Sequence, residues 1–318
     1  MQRVSLDCTP PAPKSTGEGF LLAVNPGVPA AMRRHRWSLQ DYIVSRRLYK
    51  GSTSAVYKAT CRFSGAQVAL KVYFLSRVPA NVLHMILREI KIHTELVHDN
   101  IIALHAAFQE ERRLVLVQEF AARGDLHEIF RAMERPITET ELASLVLTPF
   151  LDALCHLHSK GICHRDIKPE NILLTQDWRC VIADFGVSVD LAEERAVTRA
   201  GTLEYMAPEV ERCPLKMYPN ENKEKSHLAY TTAVDIWATG VLAYELLIGF
   251  PPFRVDGAAP SAPSAARGPL HFPHSVSAVA RDFIRAALAD HPEDRPTAFE
   301  LRQHPWLAAA ANANGSRD

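Results

Sequence analysis

The chain has 318 residues, 47% hydrophobic and 23% charged, which suits one large globular domain or two lobes around separate cores. Lysine plus arginine and aspartate plus glutamate both number 36, so the formal net charge is zero and gives no support to a chain-wide nucleic-acid or membrane-surface role. No apolar run in the sequence approaches the roughly 20 residues of a membrane span. The six cysteines (Cys8, Cys61, Cys155, Cys163, Cys180, Cys213) form no C-x-x-C pair and read as free thiols of a reducing compartment, cytosol or nucleus.

Residues 1–36 carry Pro10, Pro11, Pro13, Pro26 and Pro29 without sustained periodicity and read as a flexible tail. The short apolar patch Phe20 to Val24 lies behind this proline-rich start, which argues against a signal peptide. From Trp37 the texture changes. Tyr57 to Thr60 and Gln67 to Val72 are strand-like on either side of a Ser64-Gly65 turn. Asn81 is placed to cap a helix reaching about Leu96, with Val82, Met85, Ile86 and Ile90 near helical spacing. Leu114 to Glu119 is another apolar strand, so residues 37–121 read as a small, strand-rich lobe with one main helix.

Residues 122–307 read as a larger, mainly helical lobe. Thr138 and Glu141 form a capping box opening a long helix to about His158. Pro149 inside it predicts a kink, costing about 3 kcal/mol if uncompensated. Asp235 to Leu247 is an apolar, buried helix, and Val276 to Ala289 and Ala298 to Gln303 are closing helices. Residues 257–269, all Gly, Ala, Pro and Ser but for one Arg, read as loop, and the Ala/Asn-rich end, 308–318, as a fraying tail. The fold class is α+β, in two lobes.

Residues 164–171 read His-Arg-Asp-Ile-Lys-Pro-Glu-Asn, and Asp184-Phe185-Gly186 follows. Their order and spacing resemble the catalytic and magnesium-binding loops of protein kinases. Phosphoryl transfer needs positioning and charge neutralisation more than covalent chemistry. On this resemblance Asp166 is the base that accepts or orients the substrate hydroxyl, and Lys168 reaches the γ-phosphate of ATP. A lysine at that spot resembles serine/threonine rather than tyrosine kinases. Asn171 and Asp184 supply oxygen ligands for two Mg²⁺ ions. Lys71, in Val68-Ala69-Leu70-Lys71, grips the α- and β-phosphates, with Glu89 as its ion-pair partner.

The phosphate-cradling loop departs from the family pattern G-x-G-x-x-G-x-V. Here it runs Tyr49-Lys50-Gly51-Ser52-Thr53-Ser54-Ala55-Val56, so the middle glycine alone remains. Glycines let backbone N–H groups approach phosphates, and their loss predicts a stiffer loop and weaker ATP binding. The resemblance places Leu48, Val56 and Ala69 above the adenine and Leu173 below it. It makes Glu119 to Ala121 the hinge and sets Asp125 against the ribose or a substrate arginine, with Gly51 and Ser54 in the phosphate loop.

The activation segment would run from Asp184 to Ala207-Pro208-Glu209. Thr198 lies in it, three residues after Arg195, and a phosphate there would pair with Arg165 and Arg88. Thr202 resembles the residue that contacts the catalytic aspartate, Glu209 and Arg295 a buried ion pair, and Asp235 the anchor of the catalytic-loop backbone.

Within the kinases the chain is similar to the Aurora family. Trp37-Ser38-Leu39-Gln40-Asp41-Tyr42 resembles its W-x-L-x-D-F segment, and Arg88-Glu89-Ile90-Lys91-Ile92, Ala200-Gly201-Thr202-Leu203-Glu204-Tyr205 and His304-Pro305-Trp306-Leu307 fit it as well. That likeness implies a spindle, centrosome or cilium role. Extra polar residues from Lys216 to His227, and the Pro/Ala-rich 257–269 stretch, depart from it. Glu170 and Asp125 put carboxylates where an upstream arginine of a substrate would lie. The expected activity is a basophilic serine/threonine kinase, a monomer able to phosphorylate itself in trans, whose partners are arginine-bearing protein substrates and a scaffold or activator protein. The alternative is a catalytically weak pseudokinase scaffold. A small-molecule kinase is less consistent with the Ala207-Pro208-Glu209 segment.

Overall fold

The structure, a computed structural model, describes residues 19–216, 218, 220–253 and 269–315. They divide into two compact units. The first ends at His98 and resumes over Ile102–Ala121, and the second comprises Asp99–Ile101 and the chain from Ala122 onward. The loop expected over 257–269 lies outside the described residues except for its last position.

The first unit is an antiparallel six-stranded sheet: β1 (Phe20–Val24), β2 (Tyr42–Lys50), β3 (Ser54–Cys61), β4 (Gln67–Phe74), β5 (Leu104–Glu110) and β6 (Arg113–Glu119). The spatial order is β1-β5-β6-β4-β3-β2. A strand alternates its side chains between two faces, and the sequence obeys this. Ala55, Tyr57, Ala59 and Cys61 on β3 join Val68, Leu70 and Val72 on β4 in one core with Trp37, Tyr42 and Phe108. Tyr73 turns to the opposite face, against Ile86 and Ile90 of α1 (Leu83–Thr94).

One expectation needs correction here. Residues 20–36 are not tail. Phe20–Val24 is an edge strand paired with β5, and Val28, Met32 and Trp37 are buried. A strand whose partner lies some eighty residues away leaves no local signal beyond its apolar run. At the start of α1 a turn is closed by Val82 N–H to Pro79 O at 2.9 Å, and Val82 stands directly before the helix.

The second unit is built around two long helical segments. The first opens with the expected capping box of Thr138 and Glu141 at α3 (Glu139–Glu141) and closes with α4 (Thr148–Ser159). Between them Leu142–Leu147 forms a π-helical stretch. The wider turn answers Pro149, which lacks an N–H and would clash with a carbonyl one α-turn back. The helix type thus changes locally just before the proline. The whole rod, Glu139–Ser159, is long and apolar enough by length and composition to cross a membrane, but half of its apolar window is buried in the protein, as in the core helix of a globular fold.

Around this rod lie α2 (Leu126–Ala132) and the short strands β7 (Ile162–Cys163), β8 (Ile172–Leu174), β9 (Cys180–Ile182) and β10 (Val189–Asp190). β7 pairs with β10 and β8 with β9. Then come α5 (Pro208–Glu211), α6 (Ala233–Ile248), α7 (Ala278–Ala287), α8 (Ala298–Arg302) and α9 (Pro305–Gly315). α6 is apolar nearly all round because nearly every residue from Val234 to Tyr244 is buried. α9 corrects the fraying tail, since it continues to Gly315 with Leu307 and Ala310 buried.

Candidate active site

In the first unit the strand period sets the charged centre. Val56 lies directly opposite Lys71 across β3 and β4, and Ala69 precedes Lys71 by one period, so all three share a face. Lys71 Nζ meets Glu89 Oε1 of α1 at 2.7 Å, with the two side chains 12% and 0% exposed. The second oxygen, Oε2, accepts the Tyr73 hydroxyl at 2.6 Å. Burial pushes the Tyr73 phenol well above its ordinary pKa, so it stays a donor. Tyr73 was not foreseen. Its place two residues after Lys71 on a strand was the available signal.

The loop before β3 keeps a hairpin despite its missing glycines. Gly51 N–H donates to Ser54 O at 2.8 Å, and Thr53 O accepts from Phe74 N at 2.9 Å. Leu48 falls at an irregularity in the β2 register, and Tyr49 pairs with Val56, so its exposed ring stands on the Val56–Lys71 face. Glu119 ends β6 opposite Val68 and donates its N–H to Ala103 O at 2.8 Å; Ala121 closes the unit.

In the second unit the fully buried Asp235 organises the catalytic loop. Its Oδ1 accepts Arg165 N, and its Oδ2 accepts His164 N, both at 2.8 Å, and meets His158 Nε2 at 2.9 Å. Burial alone would raise its pKa, but these hydrogen bonds and the neighbouring histidines hold it below the ordinary carboxylate value. Arg165 and Asp184 both take positive φ, 68° and 62°, strained conformations of the kind found where side chains must be aimed. Phe185 beside Asp184 is fully buried, edge-on to His164 at 5.3 Å between ring centroids.

Three predicted residues converge on the carboxylate of a fourth, Asp166. Asp166 Oδ1 accepts Thr202 Oγ1 at 2.7 Å and Thr202 N at 3.0 Å. Asp166 Oδ2 accepts Asn171 Nδ2 at 2.8 Å and pairs with Lys168 Nζ at 3.0 Å. Lys168 also donates to Thr202 Oγ1 at 2.8 Å. Asn171 spends its amide N–H groups on Asp166 O and Oδ2, which turns its carbonyl oxygen into the ligand-capable end. Ala183 N donates to Asn171 O at 2.8 Å, so Asp184 stands beside Asn171 just past the β8–β9 ladder. The described residues hold no cluster of three or more His, Cys, Asp or Glu suited to a metal. One carboxylate and one amide oxygen suit Mg²⁺, which takes few protein ligands and completes its shell with phosphate and water. Asp125 and Leu173 meet at an antiparallel bridge, and Asp125 Oδ1 caps α2 through Glu128 N at 2.8 Å.

The activation segment is tied down at several points. A Cβ on Gly201, at φ +100°, would sit 2.2 Å from Arg165 O, so this close approach to the catalytic loop needs glycine. Glu209 and Arg295 form a two-pronged pair at 2.6 and 2.9 Å, and Arg295 also donates to Ala233 O and Ala289 O. Arg165 donates to Val187 O and to the Tyr230 hydroxyl, which in turn donates to Thr198 O at 2.7 Å. From the inserted stretch Lys223 pairs with Glu194 and donates to Arg195 O at 2.6 Å, while Arg195 donates to Lys223 O.

A carboxylate that sequence reasoning passed over completes the site. Glu245, on the otherwise apolar α6, accepts the Tyr205 hydroxyl. Burial, with the charges of Glu170 and Glu204, pushes its pKa up to about 7. Its presence in a buried helix was the clue.

A profile of the protein kinase domain matches residues 42–307. The chain is 36% identical to an Aurora kinase of Schizosaccharomyces pombe over 88% of its own length and 76% of that protein. It is 36% identical to an Aurora kinase of Patiria pectinifera, over 86% of this chain and 64% of that one. With Aurora kinase C of Mus musculus it shares 33% identity over 88% and 96% of the respective chains.

Proposed function

The chain belongs to the protein kinase family, and on that premise we propose that this serine/threonine kinase of Aurora-like sequence is active, prefers an arginine upstream of the target hydroxyl, and phosphorylates Thr198 in trans. The observation that carries activity is the hydrogen-bonded set of Asp166, Lys168, Asn171 and Thr202. Thr202 and Asn171 fix the Asp166 carboxylate, which orients the substrate hydroxyl and takes its proton as the oxygen attacks phosphorus. Lys168 places a cation where charge develops on the transferred group. Protein kinases use ATP and Mg²⁺, which supply the phosphoryl group and neutralise its charge. Here Asn171 and Asp184 are the residues that would hold the metal, and Lys71, fixed by Glu89, the phosphates.

Arginine preference is supported by Glu170, Glu204 and Glu245. Burial first, and then the charges of Glu170 and Glu204, raise the pKa of Glu245, and a substrate guanidinium would relieve the repulsion among the three. Asp125 has one oxygen engaged as a helix cap. Thr198 phosphorylation is supported by the cations near the segment. Partial burial lowers the Lys216 pKa, and Lys223 and Arg165 lower it further, so a phosphate would find a concentration of positive charge. The likeness to Aurora kinases is the support for a spindle, centrosome or cilium role and for a scaffold or activator. A monomer that meets a second copy for Thr198 phosphorylation is the simplest assembly.

A weakly catalytic scaffold is the second reading, favoured by Tyr49 on the same face as Lys71. Phosphorylation of a positional-scanning peptide library tests the proposal. Enrichment of arginine two or three residues before the acceptor is expected. Turnover without that preference would remove the basophilic assignment, and no turnover would favour the scaffold.

A further inference from the structure

β1 runs along the outer edge of β5, from Phe20 opposite Gln109 to Val24 opposite Ala106, with its register broken between Leu21 and Ala23. In a plain strand Leu21 and Ala23 would face one way and Leu22 the other. The irregularity changes this, as bulges do when they re-aim side chains. Leu21 packs with Trp37 and Phe108 on one side of the sheet. Leu22 and Ala23 both pack on the other, against the cluster of Tyr73, Ile86 and Ile90. Two consecutive residues of β1 therefore bear on the cluster that seats α1.

Asn25 follows directly and is only 4% exposed. Its Nδ2 donates to Thr94 O at 2.8 Å and Leu96 O at 3.0 Å, and its Oδ1 accepts Gly27 N at 2.7 Å. A helix ends with carbonyls that have no partner inside it. Here one buried amide from outside the helix satisfies the carbonyl of the last residue of α1 and another just past it. Glu89 stands on this helix, with its carboxylate shared between Lys71 and Tyr73.

We propose that the segment from Phe20 to Asn25 is a built-in clamp on α1, with Asn25 as a positioning residue that holds Glu89 against Lys71, so that this pair forms without an activating partner. The proposal rests on the kinase reading above. It assigns a role in the reaction to residues that precede the matched kinase domain. A segment that only stabilised the sheet would need the β1–β5 ladder, but neither the re-aimed Ala23 nor an amide aimed at the end of α1.

The test is a double-mutant cycle in the full chain, with Asn25→Leu, Glu89→Gln and both together. Each variant is assayed for transfer from Mg-ATP to an Arg-Arg-x-Ser peptide, beside its thermal midpoint. Asn25→Leu is expected to lower kcat/KM for ATP about tenfold with the peptide KM unchanged. In the Glu89→Gln background it should have no further effect on transfer, because the carboxylate it positions is gone. Asn25→Ser, a smaller perturbation, should follow the same pattern if Asn25→Leu folds poorly, and Phe63→Ser, at a 65% exposed residue outside the clamp, should leave transfer unchanged. Turnover per folded molecule that is indifferent to Asn25, or costs that multiply independently of Glu89, would overturn the clamp and leave the kinase reading intact. A wild type that transfers no phosphate would overturn both.

Discussion

Thr202 donates its hydroxyl to Asp166 Oδ1 at 2.7 Å while accepting from Lys168 at 2.8 Å. Thr202 thus fixes both Asp166, the proposed base, and Lys168, the proposed cation, and ties the stretch that carries it to the loop that carries them. Thr202→Val keeps the shape and the backbone N–H bond but removes the hydroxyl. It should lower kcat by about one to two orders of magnitude, with Thr202→Ser restoring most of the loss. Steady-state kinetics on a peptide substrate would show it, and an unchanged kcat would remove Thr202 from the site.

The Glu209–Arg295 pair anchors the other end of the segment. The Arg295 side chain is fully buried and donates to four groups besides Trp237, over whose ring it lies at 5.0 Å. Arg295→Ala should destabilise by about 3–5 kcal/mol, because Glu209 and the carbonyls lose their partner. Urea unfolding of the two variants would measure it. Glu209→Gln, which leaves an uncharged hydrogen-bonding group, should cost less, and equal costs would contradict the asymmetry.

Through Glu245 the proposed arginine preference should depend on pH. Its folded-state pKa is raised to about 7 from 4.5. The free site is therefore largely protonated below pH 7, and its stability falls as pH rises from 4.5 to 7, where the unfolded chain ionises first. Arginine recognition needs the charged form. The kcat/KM ratio of an Arg-Arg-x-Ser peptide over its alanine counterpart should rise as pH passes through about 7, and Glu245→Gln should flatten the profile and lower the ratio. A ratio independent of pH in the wild type would show that Glu245 is not the group that reads arginine.

How much of this was legible follows from whether a signal is local. His164 to Asn171 and Asp184 to Gly186 could be read because a single loop and hairpin bring their side chains together, so spacing encodes geometry. The Thr138–Glu141 cap was legible for the same reason. β1 was not, since its partner β5 is distant in the chain and its own five residues carry little signal. Pro149 was seen as a helix breaker, but that the turn before it widens into a π-helical stretch has no signal in the local residues. Tyr73 and Glu245 are single polar groups in apolar elements. Each was visible as an anomaly, but only the neighbours that folding supplies, Glu89 for one and Tyr205 for the other, say what it does.

The most direct measurement is phosphate transfer from Mg-ATP to an Arg-Arg-x-Ser peptide by the wild type beside Asp166→Asn. The account predicts steady turnover by the wild type, despite Tyr49 and Ser54 in the phosphate loop, and a loss of about 10²–10⁴-fold in the variant. Equal rates, or no transfer by either protein after Thr198 has been phosphorylated, would contradict it.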